Sequence, residues 1–167
     1  MAILKKLQKF LEDSKVKYEI VEHKKVFTAH DKAATLRVPE KIVGKTLLVR
    51  LDPATKSGAS KEVVVVLIPT NKNLDKQKLK KLSKAKQIDF VKEAWMKKNL
   101  KGVKEGANPP FGNLYKLKTF VDRGLMLNKK IIINSGDNKS SIKINPSVLK
   151  KIIPDVIISS FSKSRKN

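Results

Sequence analysis

Cysteine is absent from this chain of 167 residues, and only two residues are histidine, His23 and His30. Without cysteine the chain has no disulfide, no thiolate nucleophile and no cysteine-ligated zinc. Two histidines are too few for a three-histidine metal site. We therefore expect neither a metal nor another cofactor. Aromatic residues make up only 5% of the sequence, which argues against an RNA-binding surface built on stacked aromatic side chains.

Long hydrophobic runs are also missing, because the longest, residues 63–68, contains six residues. A helix that spans a bilayer needs about 20 apolar residues, so this run predicts a strand. The first ten residues are amphipathic and charged, unlike a secretory signal. We expect a cytoplasmic protein with no membrane partner. The length predicts a single domain over residues 1–158, followed by a loose basic tail over residues 159–167.

Acidic residues are scarce, since 15 Asp and Glu stand against 38 Lys and Arg, which leaves a net charge of +23. This imbalance indicates a polyanionic partner, either a nucleic acid or an anionic membrane. Most of the basic residues are lysine, a mobile point charge that suits phosphate contact better than the reading of bases. The alternative interpretation is that lysine merely replaces arginine and solvates the surface.

Hydrophobic periodicity predicts helices and strands that alternate irregularly, without a repeated strand–helix–strand unit. This order is typical of an α+β fold with a mixed sheet. The strands at 45–51 and 62–68 predict a hairpin with a long tip over residues 52–61. The other expected strands are 16–21, 87–91, 116–122, 130–134 and 140–144. The expected helices are 3–14, 28–36, 74–85 and 92–98, and Pro146 is expected to open a last helix or turn.

Four segments can carry chemistry, and each also has an ordinary structural interpretation. Residues 104–112 combine glycines, which allow a close backbone approach to a ligand, with two stiffening prolines. Such a loop can bind a carbonyl oxygen or an oxyanion, or it can be a simple connection. Lys45 can meet phosphate or lie in solvent, residues 134–136 can line a pocket or turn a hairpin, and Asp122 can hold a pocket residue or cap a turn.

Taken together and in order, these segments resemble the YbaK/EbsC family, the free-standing relatives of the editing domain inserted in bacterial prolyl-tRNA synthetase. The resemblance implies a mixed, barrel-like β-sheet flanked by helices, and a trans-acting deacylase that hydrolyses the ester of a mischarged tRNA at its 3′ end. It also implies an aminoacyl-tRNA synthetase as a possible partner. Asn108 departs from the apolar residue that we expect there. The matching segments are VFTA at 26–29 with AA at 33–34, GKTLLV at 44–49, VVLIP at 65–69 with LD at 74–75, GANPPFG at 106–112, FVD at 120–122, and NSG at 134–136 with SIKI at 141–144.

The resemblance also implies roles for single residues. Lys45 matches the family lysine that contacts the tRNA terminus near the scissile ester. Our hypothesis is that the backbone N–H groups of Gly106 and Gly136 bind the developing oxyanion, while His23 or the free ribose hydroxyl of the substrate activates water. The expected tRNA-contacting face is the lysine-rich helix with Lys76, Lys80 and Lys81. The expected substrate-binding residues are His23, Thr28, Pro110, Phe111, Gly112, Asp122 and Ser135.

Two other function classes stay open at this point. A non-catalytic RNA-binding module of the same fold fits the charge equally well, although the sequence has no RNP-like or KH-like motif. A small-molecule amidase or esterase would share the pocket but lacks the nucleophile-elbow motif. A Ser/His/Asp site is conceivable, because its members need not be close in sequence, but nothing in the sequence selects one.

Overall fold

The computed structural model describes residues 3–53 and 62–165, so most of the predicted hairpin tip lies outside the described residues. Within the described ranges, no helix is both long and apolar enough to cross a membrane. The helices are α1 Lys5–Asp13, α2 Ala29–Leu36, α3 Lys76–Ser83, α4 Glu93–Asn99 and α5 Ser147–Ile152. The strands are β1 Tyr18–Glu22, β2 Gly44–Pro53, β3 Glu62–Pro69, β4 Lys72–Leu74, β5 Ala85–Phe90, β6 Lys118–Asp122, β7 Ile131–Asn134, β8 Ser140–Ile144, β9 Ile157–Ser159 and β10 Ser162–Ser164.

The α+β class with a mixed sheet and flanking helices is confirmed, and hydrogen bonding divides the described strands into three sheets. The central sheet has the order β5-β2-β3-β6-β9, in which β2 pairs antiparallel with β3 and β5 while β6 pairs parallel with β3 and β9. A second, antiparallel sheet has the order β1-β8-β7, and β10 pairs with β4. A parallel bridge between Val43 and Ile132 joins the start of β2 to β7, so two sheets meet beside Lys45.

The middle of the central sheet is buried on both faces along β3, which is continuously apolar from Val63 to Ile68. On one face, Leu67 of β3 packs with Leu7 and Leu11 of α1 and with the isoleucines of β7 and β8. On the other face, Val66 and Ile68 pack with Leu79 of α3. Side chains alternate along a strand, so Lys45 and Leu47 share a face of β2 while Thr46 points to the opposite face.

The prediction of a loose tail from residue 159 is wrong for residues 159–165. Ser162–Ser164 forms β10, and Phe161 is fully buried, with its ring 6.1 Å from that of Phe120 in an edge-to-face arrangement. The backbone N–H of Phe161 also donates to Asp122 at 3.0 Å. Burial of one large aromatic side chain outweighs the basic character of its neighbours and anchors this segment to the sheet.

Candidate functional site

The glycine-bearing loop has the exposed and constrained backbone that the sequence predicts. Gly106 is exposed and has a φ of +74°, a conformation that favours glycine. A Cβ at this position would lie 2.0 Å from the carbonyl oxygen of Phe27, so a side chain cannot be accommodated without moving the backbone. Across the described residues, 3–53 and 62–165, the N–H of Gly106 has no hydrogen-bond acceptor. That N–H is therefore free to meet an oxyanion.

A second turn, which contains Gly136, is hydrogen-bonded to this loop and holds it in position. The N–H of Gly136 donates to the carbonyl of Ala107 at 2.9 Å, and the carbonyl of Gly136 accepts from the N–H of Lys104 at 2.9 Å. The structure thus brings together two glycine segments that are far apart in sequence. It also corrects one prediction, because the Gly136 N–H is already engaged and is not an available oxyanion donor. Gly136, with a φ of +90°, holds the Gly106 loop in place.

Ser135 belongs to the internal bonding of that turn. Its side chain is fully buried, and its hydroxyl bonds the carbonyl of Ser140 at 2.9 Å and lies 2.9 Å from the Ser140 hydroxyl. The same oxygen accepts from the N–H of Asp137 at 3.3 Å. This geometry does not support the predicted substrate-binding role of Ser135, because its hydroxyl already forms hydrogen bonds within the turn.

The end of the loop is anchored in the core, and the predicted substrate contact of these residues stays a prediction. Pro110 is buried, and the fully buried Phe111 packs edge-to-face on Phe10 with ring centroids 5.6 Å apart. The N–H of Gly112 donates to the Thr119 hydroxyl at 2.9 Å, and a Cβ there would lie 2.6 Å from the same oxygen. These three residues carry no exposed group toward a ligand and instead fix where the loop begins and ends.

Asp122 has a structural role in the fold, and its predicted substrate contact stays a prediction. Its side chain is 3% exposed, and its two carboxylate oxygens accept from the N–H groups of Gly124 at 3.1 Å and Phe161 at 3.0 Å. The capping interpretation from the sequence is therefore the correct one. The same carboxylate also anchors the C-terminal segment to β6 through Phe161, a long-range contact that carries no local sequence signal.

His23 and Thr28 lie on the segments that lead to the glycine loop. One ring nitrogen of His23, Nε2, lies 2.9 Å from the Ser141 hydroxyl, and the other, Nδ1, lies 2.7 Å from the carbonyl of Lys24. Because a carbonyl can only accept, the bonding pattern assigns the proton to Nδ1 and makes Nε2 the acceptor. The hydroxyl of Thr28 accepts from the N–H of Asp31 at 3.0 Å, which confirms Thr28 as the predicted cap of α2. Its predicted substrate contact stays a prediction.

Lys45 is half-buried at the mouth of β2. Its ammonium donates to the carbonyl of Lys72 at 3.0 Å. Burial lowers the pKa of Lys45 below its usual value, the positive charge of Arg165 lowers it further, and Glu40 acts in the opposite sense. Beside it, the hydroxyl of Thr46 is buried without a partner among the described residues. Lys45 also lines a groove together with Lys76 of α3.

Lys80 and Lys81, the other two lysines predicted to bind tRNA, lie in the last turn of α3. Lys81 is exposed, and Lys80 is partly buried. Their side chains are not among those lining the groove that contains Lys45. Their contact with tRNA therefore stays a prediction that rests on charge alone.

Lys32 is a feature that the sequence reasoning missed. It is 3% exposed, and its ammonium donates to the side-chain carbonyl of Asn134, whose amide in turn donates to the backbone carbonyl of Asn108 at 3.0 Å. This chain of bonds connects α2 to the glycine loop and to the segment before Gly136. Burial lowers the pKa of Lys32 to about 7. Helical spacing was the available signal, because Lys32 falls on the same face as Ala29, Ala33 and Leu36, which pack inward.

Within residues 3–53 and 62–165, no cluster of three or more His, Asp or Glu side chains is arranged to hold a metal ion. The exposed backbone donor and the half-buried lysine line different cavities, because Gly106 lies with Met96 and Leu100 whereas Lys45 lies with Leu47 and Phe90. That the two act on one ester stays a prediction.

Comparison with known proteins identifies a sequence family and solved structures of the same fold. The sequence model of the aminoacyl-tRNA editing domain matches residues 23–152. The crystal structure of the hypothetical protein APE2540 superposes with a TM-score of 0.80 at 23% identity and covers 95% of this chain and 100% of its own. A candidate trans-editing enzyme for prolyl-tRNA synthetase superposes with a TM-score of 0.75 at 16% identity and covers 95% of this chain and 96% of its own. No curated protein sequence gives a significant match.

Proposed function

The chain belongs to the aminoacyl-tRNA editing domain family, and from this premise we propose that it is a trans-acting deacylase. It hydrolyses the ester that joins a wrong amino acid to the 3′ end of a tRNA. The observation that carries the proposal is the Gly106 loop, whose exposed N–H has no acceptor among the described residues while bonds through Gly136 and Asn134 hold its backbone. An aminoacyl-tRNA synthetase that delivers the substrate, expected from the resemblance, stays a prediction.

The Gly106 N–H stabilises the charge that develops during hydrolysis. When water adds to the carbonyl carbon of the ester, the carbonyl oxygen becomes an oxyanion, and the N–H donates to it. The intermediate then breaks its bond to the ribose oxygen, which takes up a proton and leaves as the free tRNA hydroxyl. A fixed donor of this kind costs nothing to reorganise during the reaction, and its loss typically raises the barrier by about 2.7–4 kcal/mol.

The base for this reaction is better supplied by the substrate than by the protein. Both ring nitrogens of His23 already have partners, Ser141 and the carbonyl of Lys24. To accept a proton from water, His23 would have to release the Ser141 hydroxyl. The ribose hydroxyl next to the ester lies beside the reacting carbonyl in any bound pose, so it can orient the attacking water.

Lys45 serves to position the end of the tRNA. One N–H of its ammonium is held by the carbonyl of Lys72, which fixes the side chain and leaves two N–H groups for a phosphate or ribose oxygen. A misplacement of the ester by about 1 Å can reduce the rate about 100-fold. We expect Lys45→Ala to reduce deacylation by about that factor without unfolding the protein, because the side chain is not part of the apolar core.

The experiment measures deacylation of alanyl-, cysteinyl-, seryl- and threonyl-tRNA by the wild type, Lys45→Ala and Lys41→Ala. Lys41 is a nearby exposed lysine, so its removal controls for the loss of one positive charge. Hydrolysis that collapses only in Lys45→Ala supports the reaction and the role of Lys45, and it identifies the amino acid. Full activity in Lys45→Ala would show that the assigned role is wrong. Tight, salt-sensitive tRNA binding without hydrolysis of any substrate would favour a non-catalytic RNA-binding module.

A further inference from the structure

An exposed phenylalanine lies in the same groove as Lys45. Phe90 ends β5, at one edge of the central sheet, and 53% of its surface is exposed. The ammonium of Lys76 lies over its ring, 5.0 Å from the centroid. The groove has a volume of about 470 Å³, within the range typical of ligand sites. Its lining residues are Lys45, Leu47, Asn73, Leu74, Asp75, Lys76, Gln77, Phe90 and Lys163.

The groove is strongly biased toward positive charge. Lys45, Lys76 and Lys163 come from β2, α3 and β10, so three separate elements direct lysines to one place. The single acidic residue of the lining, Asp75, caps α3, where one of its carboxylate oxygens accepts from the N–H of Lys78 at 3.1 Å. An anionic ligand therefore meets three ammonium groups and one carboxylate, so the lining keeps an excess of positive charge.

The combination of an exposed ring with flanking lysines indicates the chemical class of the ligand. Proteins bind single-stranded nucleic acids with a positively charged groove that follows the phosphates and with aromatic side chains on which bases stack. A duplex keeps its bases stacked on each other and offers none to the ring. An acidic peptide satisfies the lysines, but it does not place a planar ring beside each negative charge as a nucleotide does.

We propose that the groove between β2, α3 and β10 binds single-stranded nucleotides, with one base stacked on Phe90 and phosphates held by Lys76 and Lys163. This inference rests on the proposed function and deepens it, because the groove reaches Lys45 and would carry the unpaired 3′ end of the tRNA to that residue. A base that lies on the ring displaces the ammonium of Lys76, which then pairs with the adjoining phosphate. Phe90 is a binding residue and takes no part in the ester hydrolysis.

The experiment measures the affinity of the full chain for a short, labelled single-stranded RNA at fixed salt. Phe90→Ala is expected to weaken binding by roughly 5- to 150-fold, the usual effect of losing one stacked base. Phe90→Leu keeps an apolar side chain but has no π face, so we expect it to bind the RNA as weakly as Phe90→Ala does. Phe90→Trp keeps a π face and is expected to bind with wild-type affinity. Leu127→Ala is the matched control, because Leu127 is 84% exposed and lies outside the groove. The same RNA as a duplex is expected to show no difference between wild type and Phe90→Ala.

The outcomes separate this proposal from the proposed function. Wild-type affinity in Phe90→Ala, or full binding by Phe90→Leu, overturns the stacking site even if the protein deacylates tRNA. Binding that depends on Phe90 without hydrolysis of any aminoacyl-tRNA supports the groove and contradicts the deacylase. If both hold, Phe90→Ala raises KM for the tRNA substrate and leaves kcat close to that of the wild type, which a purely structural role of Phe90 would not produce.

Discussion

Lys32 places an ionisable group where a charge is costly, and it does so beside the candidate site. Its side chain is 3% exposed, and the only side-chain partner of its ammonium among the described residues is the neutral amide oxygen of Asn134. A neutral amide compensates a buried positive charge incompletely, so burial lowers the pKa of Lys32 to about 7. Apolar packing of α2 would be better served by an apolar residue. The lysine instead holds Asn134, and through it the carbonyl of Asn108 in the loop.

The lowered pKa of Lys32 predicts a specific pH dependence of stability. The unfolded chain keeps a lysine pKa of 10.5 against about 7 in the folded protein, so the unfolded state binds more protons between these values. Stability therefore rises with pH across that window, by up to about 1.4 kcal/mol per pH unit. Below pH 7 the group is charged in both states and contributes no slope. Urea unfolding at a series of pH values is expected to show this rise in the wild type and a smaller rise in Lys32→Met, in which the lowered pKa of Lys45 still contributes.

The control is Lys78→Met, which removes an exposed lysine of α3 and is expected to keep the wild-type slope. A Lys32→Met variant with the same slope as the wild type would show that Lys32 remains charged in the folded protein.

At the scale of elements, the glycine loop depends on a backbone conformation that only glycine adopts easily. Gly106→Ala meets two costs, the strain of a φ of +74° and a contact of 2.0 Å with the carbonyl oxygen of Phe27. Gly102→Ala meets a φ of +86° as well, but its nearest neighbour is the end of the flexible Leu4 side chain at 3.0 Å. We expect both variants to lose about 1–2 kcal/mol of stability from the strain. Only Gly106→Ala is expected to lose deacylation, by at least about 100-fold.

Thermal unfolding and deacylation assays on the two variants separate strain from function. Equal loss of activity in Gly102→Ala and Gly106→Ala would mean that general loosening of the loop, and not the position of the Gly106 N–H, limits the reaction.

Sequence reasoning succeeds for elements whose formation is local. The aliphatic runs of β2 and β3 and the Thr28 cap of α2 contain their own signals, and the structure confirms them. It fails for β4, β9 and β10, because strands of three residues are stabilised by distant partners and not by their own pattern. For the same reason, the candidate site could be predicted only in part. The glycine segments were visible in the sequence, whereas the bond that joins Gly136 to Ala107, and makes one a support for the other, depends on the tertiary fold.

For the molecule as a whole, a net charge of +23 is the property that most distinguishes the sequence. Charge alone does not distinguish a binding face from a solvated surface, because lysines occur on many elements. A second basic groove contains Lys15, Lys17, Lys130 and Lys151, near α1 and α5, and it has no aromatic residue in its lining. The two grooves have the same volume, about 470 Å³. Of these two grooves, the one with Phe90 contains Lys45 and the other does not. Variants in the two grooves can therefore be compared to locate bound tRNA.

The salt dependence of tRNA binding tests which lysines contact phosphates. Each lysine that neutralises a phosphate contributes roughly 0.9 to the slope of log affinity against log salt on a duplex, and roughly 0.7 on a single strand. The double variant Lys76→Ala/Lys163→Ala is therefore expected to reduce the slope by about 1.4. If α3 lies along the acceptor duplex, the double variant Lys80→Ala/Lys81→Ala is expected to reduce the slope by a similar or larger amount. Lys17→Ala combined with Lys151→Ala, in the other groove, is expected to leave the slope unchanged. A decrease in slope that is equal for all three pairs would mean that the lysines act through total charge and not through a defined face, because a long-range field is insensitive to where two charges are removed.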